Sequence, residues 1–251
     1  LKVKNILVSQ PQPVELDKSP YGQLAKKHNI FIDFQKFIQV EGVSAKEFRQ
    51  SRIQILDFSA VIFTSRNAVD HFFRLTKELR LDIPDTMKYF CISEATAFYL
   101  QKYIQYRKRK IFYGKQNFND LMEIIKKHKD EKYILPCSDI HKHEISKSLQ
   151  DNSINYTKAV IYKTLASDLR DINIEKYDML VFFSPSGVKS LLKNFPDFKQ
   201  GEKLIGAFGP TTSKAVKDAG LTLNINAPTK TAPSMTMAIE EYLEKNNKKK
   251  A

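Results

Sequence analysis

Two stretches of the chain place hydroxyl side chains where a short apolar strand turns into a helix. The first is Ala60-Val61-Ile62-Phe63-Thr64-Ser65-Arg66-Asn67-Ala68-Val69, and the second is Met179-Leu180-Val181-Phe182-Phe183-Ser184-Pro185-Ser186-Gly187-Val188. Phe63 matches Phe182, Ser65 matches Ser184 and Val69 matches Val188 at one constant offset. A second pair of turns follows, at a slightly shorter offset. Ile92-Ser93-Glu94-Ala95-Thr96-Ala97 lines up with Phe208-Gly209-Pro210-Thr211-Thr212-Ser213, so Thr96 is the partner of Thr212. Hydroxyls and free backbone N–H groups at the carboxyl end of a strand form the usual ligand site of an open α/β sheet, often an anion site. Each of these residues also reads as a simple helix N-cap. Their recurrence together, in order, in both halves argues for paired binding turns, a clamp with two sides.

The surrounding pattern is a steady alternation of β-rich and helical runs. Strands are expected at Asn5 to Val8, Phe31 to Val40, Ala60 to Phe63, Lys88 to Ile92, Tyr133 to Leu135, Tyr156 to Thr164, Met179 to Phe183, Leu204 to Phe208 and Leu223 to Ile225. Helices are expected to begin near Tyr21, Ala45, Asn67, Glu94, Asn119, Ile140, Gly187, Thr212 and Ser234, with Asn119 and Ser234 as candidate N-caps and Gly220 as a left-handed C-terminal cap. Such alternation predicts an α/β fold with parallel sheets and crossover helices. Asn5-Ile6-Leu7-Val8-Ser9 also resembles Tyr133-Ile134-Leu135-Pro136-Cys137, which extends the repeat and favours two half-length domains. The long extended segments 35–42 and 158–166 suit a two-stranded connection. The expected organisation is a discontinuous first domain, 1–37 plus 165–247, a second domain at 41–160, and a basic tail at 248–251.

Composition narrows the possibilities. The 251 residues are 42% hydrophobic, enough for a packed core, and no apolar run reaches the length of a membrane span. The start, Leu1 to Val8, reads as a buried strand and not as a signal peptide. Two cysteines, Cys91 and Cys137, make no disulfide framework, so a cytoplasmic setting is expected. A net charge of +13 favours an anionic partner without naming one. No G-x-G-x-x-G, P-loop or G-x-S-x-G motif occurs. The segment Cys137 to His143 fits no standard zinc spacing and reads as a polar loop entering a helix. Arg107-Lys108-Arg109-Lys110, with Tyr103, Tyr106, Phe112 and Tyr113 around it, has the composition of a single-strand nucleic-acid site, but a solvated helix end and loop is the preferred reading.

Taken in order, Phe63 to Val69, Phe183 to Val188, Gly209 to Val216 and Ala227-Pro228-Thr229 resemble the uroporphyrinogen-III synthase family, joined by Val160-Ile161-Tyr162-Lys163-Thr164. The resemblance runs over nearly the whole chain. It implies a bilobal fold of two parallel-sheet α/β domains joined by a two-stranded antiparallel β-ladder, with an active cleft between the domains. It also implies a reaction: hydroxymethylbilane, a linear tetrapyrrole, loses water and closes to uroporphyrinogen III with inversion of its last ring through a spiro intermediate. Such a hydro-lyase uses no metal and no organic cofactor and works as a monomer, with neither nucleic acid nor membrane as partner.

Carried over residue by residue, the resemblance makes Tyr162 the candidate catalytic group. It gives Ser65, Arg66, Asn67, Thr96, Ser184, Ser186, Gly187, Pro210, Thr211 and Thr212 as candidate substrate-binding residues, with Lys214 a further candidate for a carboxylate. The chain departs from the family at Ser9-Gln10-Pro11 and at Pro136-Cys137-Ser138-Asp139, where cationic residues are expected. Two other readings stay open: a non-catalytic bilobal protein that binds a tetrapyrrole or another polyanion, and a basic nucleic-acid-associated protein.

Overall fold

The computed structural model describes residues 3–115, 117–140 and 143–248; the expected tail at 248–251 lies outside them beyond Lys248, as does His141. In chain order the elements are β1 (Asn5–Val8), α1 (Pro20–His28), β2 (Phe31–Phe34), β3 (Ile38–Gly42), α2 (Ala45–Arg49), β4 (Ala60–Phe63), α3 (Arg66–Glu78), β5 (Lys88–Cys91), α4 (Glu94–Tyr99), β6 (Ile111–Tyr113), α5 (Phe118–Ile125), β7 (Tyr133–Ser138), α6 (His143–Asp151), β8 (Tyr156–Ala166), β9 (Met179–Phe182), α7 (Pro185–Asn194), β10 (Leu204–Phe208), α8 (Pro210–Asp218), β11 (Ile225–Ala227) and α9 (Met235–Lys248). The chain divides into two units, one of residues 1–39 and 165–251, the other of residues 40–164.

Both units are built on the same strand order. The first holds a five-stranded sheet, β11-β10-β9-β1-β2, and the second a six-stranded sheet, β6-β5-β4-β7-β8 with β3 added at the edge. Thus β9 occupies the place of β4, β10 that of β5, and β1 that of β7, the correspondence that the repeated motifs carry in the sequence. The pairings from β4 to β8, and those of the five-stranded sheet, are parallel. The central strands explain themselves: Ala60-Val61-Ile62-Phe63 and Met179-Leu180-Val181-Phe182 are apolar throughout and buried at every position, as strands covered on both faces must be. Side chains of β4 divide between two clusters. Val61 and Phe63 pack with Phe72 and Leu75 of α3, whereas Ala60 and Ile62 pack with Leu121 and Ile125 of α5.

Several sequence expectations are corrected. The run Phe31 to Val40 is not one strand. It breaks at residues 35–37, where Phe37 is buried edge-on against Phe182 at 5.8 Å, and the two pieces join different sheets. β3 lies beside β8; Val43 N donates to Ile161 O and Ser167 N to Phe37 O, so numbering rises along one segment as it falls along the other. The last strand begins at Ile225 and not Leu223. Strand β6 is absent from the sequence expectation, since its three residues follow directly on the Arg107–Lys110 block. The N-cap of α5 is Asn117 and not Asn119: its side chain accepts from Asp120 N while the Asp120 carboxylate accepts from Asn117 N, a reciprocal box that needs the acid three residues on. The described part of α6 starts at His143, and Ile140 lies outside it in a bend where its N donates to Asp139 Oδ1. Ser234 does cap α9, accepting from Met237 N, and Gly220 has the positive φ expected of a C-terminal cap.

Candidate active site

The unit formed by residues 40–164 carries a pocket of about 490 Å³ at the carboxyl edge of its sheet. Thr64, Ser65, Ile92, Cys137 and Ser138 line it from the ends of β4, β5 and β7, Tyr162 from β8 where its pairing with β7 ends, and the starts of α5 and α6 supply Asn117 to Asn119 with Glu144 and Ile145. Chain order places the pocket here. From β4 the chain steps outward to β5 and β6, then returns to the other side of β4 as β7, so the crevice between the ends of β4 and β7 is a topological switch point.

A proline stands beside that crevice. The β4–β7 register covers only Ala60 with Tyr133 and Val61 with Ile134. Tyr133 N donates to Asn155 O on the β8 side, so by alternation along a parallel strand Ile134 and residue 136 face β4. Residue 136 is proline, which has no N–H to continue the ladder. At the equivalent place in the other unit, β1 and β9 pair over three positions, and Ser9 N donates to Val181 O at 2.9 Å.

Ser65 is the N-cap of α3. Its Oγ accepts from Ala68 N at 3.1 Å and lies 3.4 Å from the Tyr162 Oη. Tyr162 is buried, its ring stacked on His71 at 5.0 Å between centroids. Burial pushes the Tyr162 phenol above its ordinary value, against the Ser65 hydrogen bond. His71 is in turn held by Arg74, whose Nε donates to His71 Nδ1 at 3.3 Å and whose Nη2 donates to Val43 O at 2.7 Å. Burial, with the Arg74 charge beside it, lowers the His71 pKa, which keeps the imidazole neutral at neutral pH.

The remaining sequence-derived candidates fall into different circumstances. Thr96 is the third residue of α4, buried, its Oγ1 3.2 Å from the Oγ of the cap Ser93. Arg66 and Asn67 are exposed at the start of α3, and the Arg66 guanidinium lies over the Tyr99 ring at 5.4 Å. In the other unit Ser184 caps α7, accepting from Gly187 N at 3.1 Å, with Ser186 half-buried beside it. Pro210 and Thr211 are exposed in the first turn of α8, and Thr212 is buried at its third position, the place of Thr96 in α4. Lys214 does not offer a free cation: it pairs along its own helix with Asp218 at 2.6 Å.

Sequence reasoning missed the contribution of Asn117, Ser138, Glu144 and His71. Ser138 was within reach, because it follows the strand that repeats β1. Its Oγ lies 2.7 Å from Asp139 Oδ1 and 3.1 Å from Thr164 Oγ1. Asp139 Oδ1 also accepts from Ile140 N and Thr164 N, so a carboxylate and not a cation orders this loop. Burial raises its pKa, but these hydrogen bonds outweigh that and hold it below the ordinary value. Among the described lining residues Glu144 is the one charged side chain. The rest of the lining is hydroxyl, amide, thiol and apolar. The Cys137 thiol is pushed up to about 11, first by burial, so it stays protonated.

A comparison with protein families matches residues 32–237 to the model described as uroporphyrinogen-III synthase HemD. The chain belongs to the uroporphyrinogen-III synthase family. Solved structures agree in fold. The uroporphyrinogen-III synthetase of Helicobacter pylori superposes with a TM-score of 0.61 at 18% identity, over 96% of this chain and 99% of that one. A triple mutant of uroporphyrinogen III synthase from Thermus thermophilus gives 0.58 at 14% identity, over the same shares. Comparison with curated protein sequences finds no match. Among the described residues no helix is long and apolar enough to cross a membrane. Within the uroporphyrinogen-III synthase framework, Tyr162 and Ser65 are the two sequence-derived candidates that meet at the pocket.

Proposed function

We propose that this chain has the activity of its family, closing hydroxymethylbilane to uroporphyrinogen III with loss of water and inversion of the last ring through a spiro intermediate. The observation that carries the reading is the pairing of Tyr162 with Ser65, the N-cap of α3, on the wall of a switch-point pocket entered by the first turns of α5 and α6. Free N–H groups and the helix dipole favour negative charge there, and the substrate is a polycarboxylate.

Closure needs the hydroxyl of the first ring to leave, which produces a cationic azafulvene that the substituted carbon of the last ring attacks. Tyr162, protonated at neutral pH, donates a hydrogen bond to the departing oxygen; its raised pKa suits donation better than full proton transfer. In the unit of residues 40–164, Ser65, Arg66, Asn67 and Thr96 take substrate carboxylates; Ser184, Ser186, Gly187, Pro210, Thr211 and Thr212 are the candidate carboxylate-binding residues of the other unit taken by itself. Most of the rate then comes from holding the reacting ends in register. The β3–β8 pair serves as the two-stranded antiparallel connection of the family. The reaction calls for neither metal nor organic cofactor, and one copy of the chain, acting in the cytoplasm, suffices.

An isomer assay tests this. Fresh hydroxymethylbilane is supplied, the product is oxidised, and uroporphyrins I and III are separated by chromatography. Protein-dependent type III product is the expected result; type I alone, at the spontaneous rate, overturns it. The second reading, tetrapyrrole binding without turnover, draws on one observation: Gln10 and the Pro136–Asp139 loop stand where the family carries cations, and Glu144 is in the pocket. Tight binding of the substrate with only type I product would favour it.

A further inference from the structure

At the C-terminal end of α1, His28 is packed against α9. Its side chain is only 9% exposed, and Nε2 is the one buried side-chain nitrogen or oxygen, among the described residues, without a hydrogen-bond partner. An imidazole nitrogen out of water and unpaired is unfavourable, and such groups call for an explanation. The nitrogen faces two carboxylates. Glu240 Oε1 lies 3.8 Å from Nε2, and the ligand atoms of His28, Glu240 and Glu244 all fall within 4.8 Å of one another. Glu240 and Glu244 are four residues apart on α9 and so share one face.

A cation already occupies the mouth of this cluster. The Lys27 ammonium donates to Glu240 Oε1 at 2.5 Å and to Glu244 Oε1 at 3.0 Å, yet its side chain is 57% exposed. Lys27 bonds to the two carboxylates, and the His28 nitrogen is still left without a hydrogen-bond partner.

We propose that His28, Glu240 and Glu244 form a binding site for a divalent transition metal of the zinc class, which displaces the Lys27 ammonium and clasps α1 to α9. One imidazole and two carboxylates suit such an ion. Tetrahedral coordination needs ligand atoms roughly 3.3 Å apart at bond lengths near 2.0–2.1 Å. Rotation of the two glutamate side chains supplies the closure, and Lys27, long and exposed, can swing into water. The ion would give Nε2 the partner it lacks. This site takes no part in the proposed reaction; its effect is on the unit that holds the chain's first and last helices.

The test is titration of zinc chloride into the full chain after treatment with a chelator, followed by calorimetry. Competing thiols are few: Cys91 and Cys137 are both buried, and burial pushes Cys91 up to about 12. One equivalent should bind, and His28→Gln and Glu244→Gln should each weaken binding by at least about tenfold. Lys27→Met should tighten it several-fold, because the competing charge is gone, an effect that an accidental surface site elsewhere would not produce. Circular dichroism confirms that each variant is folded; Glu244 and Lys27 are exposed enough that their variants remain informative should His28→Gln misfold. Equal zinc affinity in the parent, Glu244→Gln and Lys27→Met proteins, or no binding below millimolar zinc, overturns the proposal.

Discussion

The hydroxyls of Ser65 and Tyr162 lie 3.4 Å apart although 97 residues separate them in the chain. Each is fixed by a different device. Ser65 is held by capping α3, and Tyr162 by stacking on His71, one turn and a half further along that same helix. Arg74, also on α3, then bonds to Val43 O at 2.7 Å and approaches Ile161 O at 3.4 Å. One helix therefore sets both the tyrosine's partner and its bed, and ties down the strand on which the tyrosine is carried.

Replacing Tyr162 with Phe should keep the stacking on His71 and the buried ring while removing the donor. We expect kcat for type III product to fall by about 10–100-fold, below the usual range for general acids because Tyr162 donates a hydrogen bond and not a full proton, with KM little changed. Steady-state kinetics at saturating substrate check this, and an unchanged kcat would remove Tyr162 from the mechanism.

Ser65 has two duties that a pair of variants can separate. Ser65→Ala should lower stability by about 1 kcal/mol through the lost cap and should also slow turnover. Ser65→Thr keeps a capping hydroxyl and should recover most of both. Urea unfolding read beside turnover gives the answer: a loss of stability in Ser65→Ala without any loss of rate would leave Ser65 as a cap alone.

How much of this was legible in the sequence follows from what is local. The strand–turn–helix units at Ser65 and Ser184 are written in adjacent residues, apolar run then hydroxyl then helix, and they emerge as two N-caps at matching strands of two like sheets. Phe37 was not legible as a break, because it carries a strand-forming side chain; its burial against Phe182, distant in sequence, decides the matter. The same holds at the site. Tyr162 came from resemblance, but His71 beneath it is an ordinary helical histidine until the fold stacks the two rings. Lys214 read as a possible carboxylate partner because a basic residue follows a binding turn, yet Asp218 one turn on claims it.

The loop after β7 should respond to pH through Asp139. Its pKa is held below the ordinary 3.8, burial pulling upward and the hydrogen bonds from Ser138 Oγ and the backbone winning. A depressed folded value means the stabilisation is complete above the unfolded value and is lost as pH falls through the lower folded one. The difference in urea midpoint between the parent and Asp139→Asn should therefore stay constant from about pH 7 to pH 5 and shrink below about pH 4. A difference that grew on acidification would contradict this account.

Two glycines at binding turns should behave oppositely. Gly209, the N-cap of α8, has a φ of +89°, where a side chain is strained even though nothing lies within 4 Å of an added Cβ. Gly209→Ala should lower stability by about 1–2 kcal/mol. Gly187, inside α7, would place a Cβ 3.5 Å from Ser184 Oγ and 3.6 Å from Ser9 Oγ, ordinary contacts. Gly187→Ala should be neutral or stabilising by up to about 1 kcal/mol. Denaturant midpoints for the two variants check the contrast, and a drop in turnover for a fully stable Gly187→Ala would mark it as a place of close substrate approach.

Pro136 offers the most direct test of how the pocket is made. The β4–β7 ladder stops at Val61 with Ile134, and the next position of β7 that faces β4 is Pro136, which has no N–H to donate. Pro136→Ala restores a donor. If the missing N–H is what ends the ladder, β7 should zip further along β4 toward Phe63, draw Cys137 and Ser138 toward Thr64 and Ser65, and shrink the pocket. Protection of the residue 136 amide from hydrogen exchange is the primary readout: a slowly exchanging amide means that the new bond has formed. Turnover should then fall with KM rising, because the variant narrows the site without touching Tyr162. A freely exchanging amide with unchanged kinetics would mean that packing around α5 and α6, and not the proline, holds the crevice open.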